Sequence, residues 1–257
     1  FPNDISESYR DTLKHFFQTY LDTLNTYDRS SLSENDQVSY DILKWDLQMA
    51  LEGFRFHDHL MPINQFWSTT ITFPQYGSGQ GNQLFKTVKD YDDFLHRING
   101  FAVWCDTAIA NMKKGMANGE VYPKILMERV LPQMQSMIVK DPKQSIFYMP
   151  VTNMPKEITG ADRTRIDSAY ETAIRTLIVP AYQKLHDFIK GDYIPKCRTT
   201  AGISDIPNGK EYYNYLIRFW TTTDMTADQV FELGQHEVER LRKEMEKIKD
   251  ETEIGRA

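Results

Sequence analysis

Helical periodicity runs through most of this 257-residue chain and limits the folds that are open to it. Apolar side chains recur at three- and four-residue spacing, which places them on one face of an α-helix. Helices are predicted over residues 6–27, 33–54, 90–114, 123–138 and 160–190, followed by a tyrosine-rich helix from Asn208 and a last helix from Thr226. Helix at this density exceeds the average of about one third for globular proteins. The sequence therefore predicts an all-α bundle of about seven helices, formed as a single helical region over residues 1–257.

Polar pairs that can cap a helix support these boundaries. A Ser, Thr or Asn side chain accepts from a free amide of the first turn, and an acid or amide three residues later returns the contact. Three such pairs are predicted to open helices: Ser33 with Asp36, Asn208 with Glu211, and Thr226 with Gln229. The boundaries of these helices are therefore the firmest in the sequence.

Glycine and proline residues are predicted to end or interrupt several of the helices. Gly115 and Gly119 are predicted to end the third helix, because glycine adopts the left-handed conformation common at helix ends. Pro132 and Pro180 lie inside helical patterns, where proline removes a hydrogen bond at a cost of about 3 kcal/mol. We expect each of these prolines to kink or split its helix.

One long segment, from His57 to Lys86, lacks the helical pattern. A loop of this length in a helical protein is usually functional or mobile. A short strand is predicted over Thr69 to Phe73, where β-branched residues cluster. The glycines of Gly77 to Gly81 lack the flanking strand, helix and lysine of a phosphate-binding loop, which favours a flexible loop tip.

Charge and cysteine content exclude several classes of protein. The net charge of −6 disfavours nucleic acid as a partner, because phosphate binding needs clustered Lys and Arg. Two cysteines, Cys105 and Cys197, cannot form a disulfide framework; Cys105 is expected to be a small buried side chain, and a bridge between the two stays open. No apolar run approaches the ~20 residues of a membrane-spanning helix.

No zinc motif is present in the histidine-containing segments. A zinc peptidase helix needs two histidines four residues apart, but Arg240 stands four residues after His236. Glu237 beside it is predicted to be a partly buried carboxylate paired with an Arg or Lys. His57-Asp58-His59 can chelate a metal only with a third ligand, so a surface loop is favoured there. We therefore predict neither a catalytic nor a metal site.

Aromatic residues surround the tyrosine-rich helix on more than one face. They are Tyr212, Tyr213, Tyr215, Phe219 and Trp220. A helix that is apolar all round is usually buried on several sides. Some of these rings are therefore expected in the core, and the others either abut a further domain or line a substrate cleft. Asn208, Tyr212, Tyr213 and Trp220 are the candidate cleft residues.

Several segments together resemble the bacterial family catalogued as domain of unknown function 885. The segments are Leu32–Asp36 with Tyr40–Leu43, Met61–Gln65, Asp90–Ile98, Met112–Gly115, Pro180–Tyr182 and Gly202–Ile248. Members of this family look like gluzincin-type zinc metallopeptidases whose H-E-x-x-H helix lies downstream of the matching region. This chain contains no H-E-x-x-H, so no zinc ligand and no catalytic glutamate carry over to it.

The resemblance implies that the chain is the N-terminal helical region of a zinc-dependent peptidase-like hydrolase, a fragment that is not catalytic by itself. Its implied partners are the catalytic domain of the same protein and a peptide substrate, with zinc bound in that domain. It also implies a cell-envelope, exported or lipoprotein location, to which the start at Phe1 adds, with the cytoplasm as the alternative. The alternative function is a stand-alone helical binding or scaffolding module without enzymatic activity.

Overall fold

A computed structural model describes residues 2–252, and the regular secondary structure of this part of the chain is helical. It divides into two compact units, Phe1–Ala201 and Gly202–Ala257. The described residues contain no β-strand; an isolated bridge pairs Pro123 with Arg198. The prediction of an all-α fold is therefore confirmed.

The first unit contains most of the helices, joined by short 3₁₀ turns. Its α-helices are α1 (Glu7–Leu24), α2 (Glu34–Gly53), α3 (Thr69–Gly77), α4 (Val88–Asn118), α5 (Lys124–Gln135), α6 (Met149–Thr152), α7 (Gly160–Ala173) and α8 (Val179–Phe188). Helices α1 and α2 pack against each other, and α4 packs against α7 and α8. The short helices α3 and α6 are additional to the seven that the sequence predicts.

Aromatic rings dominate the core of the first unit. Phe73 of α3 stacks on Phe101 and Phe94 of α4, with ring centroids 4.5 and 5.3 Å apart. Buried tyrosines anchor the surrounding helices, because each hydroxyl finds a backbone oxygen: Tyr182 donates to the carbonyl of Thr70 and Tyr170 to that of Tyr91. Paired hydroxyls let these large rings be buried without the cost of an unsatisfied polar atom.

The predicted strand over Thr69 to Phe73 is wrong, since these residues form the first turns of α3. Ser68 precedes the helix, and its carbonyl accepts from the amides of Ile71 and Thr72. The β-branched residues lower helix propensity only slightly, whereas burial of Phe73 among the α4 rings stabilises the helix by packing. Tertiary packing thus overrides the local preference for a strand.

Helix α4 continues past the predicted end at Lys114 to Asn118. Gly119 ends it in the left-handed conformation, with φ 79°, as predicted. Gly115 is not a stop signal. A Cβ at this position would lie 2.7 Å from the Glu120 carbonyl oxygen and 3.0 Å from that of Leu60, so glycine permits close approach of two backbone segments.

The long predicted helix from Gly160 to Lys190 is present, and Pro180 does not break it. A π-helical turn, Ile174–Ile178, joins α7 to α8, and a second π turn, Ile189–Tyr193, follows α8. A π turn widens the backbone, which relieves the clash between a proline ring and the preceding turn. Helix α5 also continues through Pro132.

The second unit consists of a 3₁₀ turn, Ile203–Asp205, followed by α9 (Gly209–Thr221) and α10 (Ala227–Thr252). The capping box of α10 is confirmed. The amide of Thr226 donates to Gln229 Oε1 at 2.9 Å, and the amide of Gln229 donates to Thr226 Oγ1 at 3.3 Å. The predicted side-chain cap of α9 is wrong, because Asn208 makes no capping hydrogen bond and instead adopts a left-handed backbone, with φ 56°.

Candidate functional site

Helix α9 carries three of the four candidate cleft residues, Tyr212, Tyr213 and Trp220, and the fourth, Asn208, lies immediately before it. Its start packs tightly on the preceding turn, where a Cβ on Gly209 would lie 2.0 Å from the carbonyl oxygen of Ile203. Tyr215 and Ile217 of this helix are buried. They lie two residues apart, about 200° around the helix axis, so α9 buries side chains on two of its sides.

The rings of α9 form a continuous series along the helix. Tyr212 stacks on Tyr215, Tyr215 contacts Phe219 at 6.0 Å, and Phe219 meets Trp220 edge to face at 5.1 Å. Trp220 is 77% exposed and Tyr213 is 47% exposed. These two lie seven residues apart, about two turns, and so share one side of the helix. Asn208 is exposed at the helix start, while Tyr212 is half-buried.

Helix α10 buries no residue over its described length, and all of its residues from 231 to 252 are exposed. The apolar side chains of this helix are therefore accessible. The prediction for Glu237 is confirmed in its pairing and wrong in its burial. Its carboxylate accepts from Arg240 at 2.8 Å, and both side chains are about half exposed. Its neighbour His236 is also exposed.

A polar pocket of about 310 Å³ lies in the first unit between the start of α1, the segment after α2 and the end of α4. Arg10 crosses its wall, paired with Asp58 at 3.1 Å and placed over the ring of Phe54 at 5.2 Å. Lys114 donates to Glu7 at 3.3 Å on the opposite side. Most charges around the pocket are therefore already paired within the protein.

The two histidines of the His57-Asp58-His59 segment lie at this pocket. His57 Nδ1 is 2.8 Å from Glu120 Oε1, and His59 Nε2 is 3.5 Å from Glu7 Oε1. His59 is buried, and its Nδ1 atom has no hydrogen-bond partner. Burial lowers the pKa of His59, and the nearby Arg10 lowers it further against the opposite effect of Glu7 and Asp58. His59 therefore favours the neutral form. The segment is a surface turn in its exposed side chains, His57 and Asp58, whereas His59 is buried.

The sequence of the chain matches the model of one protein family. The model of the bacterial protein family of unknown function DUF885 matches residues 2–256. The chain belongs to the DUF885 family. The match covers nearly the whole sequence, including both units of the fold. No curated protein matches the chain.

The DUF885 chain is also similar to a solved structure, that of "the putative lipoprotein from Colwellia psychrerythraea". The two share 16% sequence identity, with a TM-score of 0.84. The similarity covers 96% of this chain and 44% of the relative, so the chain spans less than half the length of the protein it resembles. At this identity the similarity establishes a shared fold.

Zinc does not fit the DUF885 chain as the structure describes it. Residues 2–252 contain no group of three or more His, Cys, Asp or Glu side chains that could hold a metal ion. A catalytic zinc needs three protein ligands and an open position for water. No catalytic step is therefore assigned to the residues of this chain. Both cysteines are unbridged, with Cys105 buried in the core as predicted.

Helices long and apolar enough to cross a bilayer are absent from the described part of the DUF885 chain. Sequence reasoning missed the polar pocket, since its residues come from three segments that only the fold brings together. The one signal available was the pair of histidines two residues apart.

Proposed function

We propose that this chain is the helical substrate-recognition region of a larger peptidase-like hydrolase of the DUF885 family. In this role the region walls the cleft beside a zinc-containing part of the protein and contributes no catalytic residue itself. The observation that carries the proposal is the pair of exposed rings on α9, Tyr213 and Trp220, which lie on either side of the buried Ile217.

Exposed rings on an anchored helix suit the binding of an extended peptide. Tyr and Trp offer large contact areas at a low cost in conformational entropy, and they are enriched at binding hot spots. The indole and phenol groups can also donate hydrogen bonds to peptide carbonyls. Asn208, exposed at the start of the helix, adds an amide that can both donate and accept. We therefore expect recognition through apolar contact with a few polar contacts at one end.

The length of the structural relative supports a role within a larger protein. The whole fold of this chain occurs in 44% of the Colwellia psychrerythraea protein. A zinc ion held elsewhere would supply a metal-activated water for peptide-bond hydrolysis. The residues of this chain would then bind and orient the substrate. An envelope or exported location is part of this proposal, because the relative is described as a lipoprotein.

The coding sequence that flanks this segment gives the first test. An H-E-x-x-H motif downstream supports the proposal, whereas a stop codon immediately after Ala257 contradicts it. The second test uses the protein encoded by the longer reading frame, assayed on a peptide library. Trp220→Ser and Tyr213→Ser should raise KM with little change in kcat, because they remove binding energy that the ground state and the transition state share. Tyr27→Ser, which removes an exposed ring outside α9, serves as the control.

The alternative function is a helical binding or scaffolding module without catalysis. The exposed apolar side chains of α10 favour this alternative, since such surfaces mark sites of protein association. The two proposals differ in the variants that have an effect. A peptidase-like hydrolase would show a raised KM in the α9 variants. A scaffolding module would lose partner binding on substitution of α10 residues and would show no peptide turnover in any form of the protein.

A further inference from the structure

Helix α10 carries a heptad repeat that the fold leaves uncovered. Apolar or small residues recur at alternating spacings of three and four from residue 231 to residue 252. They are Phe231, Gly234, Val238, Leu241, Met245, Ile248 and Thr252. This spacing defines the a and d positions of a coiled coil, with a at Phe231, Val238 and Met245. All of these positions are exposed in the structure.

Charged residues flank this seam in a regular order. The g positions after the first heptad are Glu237, Glu244 and Glu251. The e positions are Gln235, Arg242 and Lys249. One edge of the seam is therefore acidic and the other is basic along the second half of the helix. In two-stranded coiled coils the e and g residues select the partner and its orientation.

We propose that α10 forms a parallel, two-stranded coiled coil with α10 of a second copy of this chain. In a parallel pair each g residue faces the e residue of the next heptad on the partner. Two identical helices would then place Glu237 beside the second copy's Arg242, and Glu244 beside the second copy's Lys249. An antiparallel pair would instead place acidic edge against acidic edge. The charge pattern is thus complementary to itself in one orientation.

The core residues of the seam favour two strands. Val238 at an a position followed by Leu241 at a d position is the combination preferred by parallel dimers. Gly234 at the first d position leaves a gap, because nothing lies within 4 Å of a Cβ built there. The association should therefore be weaker than that of an ideal zipper. It should also strengthen when the gap is filled.

Helix α10 is already formed before it pairs, and only side chains move when Glu237 and Glu244 turn from Arg240 to the second copy. Its first turn is closed by the Thr226–Gln229 capping box. Arg240 donates to both Glu237 and Glu244, at 2.8 and 2.9 Å, which supports the helix along its outer edge. A preformed helix loses less conformational entropy on association. The proposal rests on α10 alone and does not depend on the peptidase-like function of the α9 surface.

The solution mass of the full 257-residue chain tests the proposal. Sedimentation equilibrium over a concentration series should show a reversible monomer–dimer equilibrium. Leu241→Glu should weaken the dimer by at least about a hundredfold, since two buried leucines are lost. Leu233→Glu is the matched control, because Leu233 lies on the same helix outside the seam and both leucines are 48% exposed. A wild-type chain that stays monomeric up to its solubility limit overturns the proposal.

Filling the gap gives a test in the opposite direction. Gly234→Leu should strengthen the dimer about tenfold or more, because each chain adds a buried side chain to the seam. His236→Leu adds the same side chain at an outer position of the helix and should leave the equilibrium unchanged. Equal effects of the two substitutions would show non-specific apolar association and would overturn the proposed coiled coil.

Charge exchange separates a paired seam from aggregation. One variant carries Glu237→Lys and Glu244→Lys, and the other carries Arg242→Glu and Lys249→Glu. Each alone should be mainly monomeric, because like charges face each other across the seam. Mixed in equal amounts they should form a heterodimer. Circular dichroism confirms that both remain helical, and a mixture that fails to associate while both are folded contradicts the proposal.

Discussion

Thr226 and Gln229 close the start of α10 reciprocally, since each backbone amide donates to the other residue's side-chain oxygen, at 2.9 and 3.3 Å. This pair defines where the longest exposed helix of the chain begins. Because α10 buries none of its described residues, its stability depends on such local contacts more than on packing. The capping box is therefore expected to contribute measurably to the stability of the second unit.

Removing the cap gives the first prediction. Thr226→Ala should destabilise the start of α10 by about 1 kcal/mol, because a first-turn amide loses its acceptor. Hydrogen exchange at the first-turn amides measures this loss directly. Gln235→Ala, in the exposed middle of the helix, is the control and should change little. Unchanged protection in Thr226→Ala would show that the cap does not hold the helix.

Arg163 is expected to stabilise the first unit through hydrogen bonds to the backbone. Its guanidinium donates to the carbonyls of Met154, Pro155 and Ile158 at 3.2–3.4 Å and so closes the turn before α7. Arg163→Ala should lower the free energy of unfolding by about 2 kcal/mol or more, since these acceptors lose a charged donor. Urea denaturation measures this value.

Arg165 supplies the matched control for that experiment. It lies two residues further along α7 and pairs with Asp92 at 2.7 Å, with its side chain about half exposed. An exposed ion pair contributes less than about 1 kcal/mol. Arg165→Ala should therefore have the smaller effect, and equal losses in the two variants would contradict the assigned role of Arg163.

Gly115 gives a prediction opposite to ordinary helix propensity. Alanine normally stabilises a helix relative to glycine by about 1 kcal/mol. Gly115→Ala should instead destabilise the protein by about 1–3 kcal/mol, because its Cβ would press on the carbonyl oxygens of Glu120 and Leu60. Gly191→Ala is the control, since nothing lies within 4 Å of the added carbon in that helical turn. Thermal unfolding of both variants shows whether each substitution stabilises or destabilises the protein.

His59 is expected to make stability depend on pH. Burial lowers the pKa of His59 from its ordinary value of 6.5, so the unfolded chain takes up the proton at a higher pH than the folded chain does. Stability should therefore fall as the pH decreases below about 6.5 and level off below the folded pKa. His59→Phe should flatten this dependence, whereas replacement of the exposed His96 should not. A dependence that persists in His59→Phe contradicts the assignment.

Periodicity and capping predict the long helices of this chain well, because those signals are local. The start of α2 at Ser33 and the start of α10 at Thr226 follow from side chains that contact their own first turn. The helix over Thr69 to Gly77 could not be predicted in this way. Its conformation depends on the α4 rings that bury Phe73, which come from a distant part of the sequence.

The same limit applies to the candidate sites. The aromatic pattern of α9 indicates an unusual helix, but only the structure separates the buried Tyr215 from the exposed Trp220. The burial predicted for Glu237 assumed that every apolar stripe is covered. Helix α10 departs from that assumption, because its stripe is uncovered in the described chain. The close approach of Gly115 to the carbonyl oxygen of Leu60 likewise joins segments that are distant in the sequence.

The proposed function requires that this chain hold no catalytic metal of its own. Zinc content of the purified 257-residue chain after exhaustive dialysis tests it most directly, with peptide cleavage assayed on the same sample. We expect far less than one zinc ion per chain and no peptide turnover, since no trio of ligands is present in the described residues. One tightly held zinc per chain, with peptide cleavage that a chelator abolishes, would contradict it.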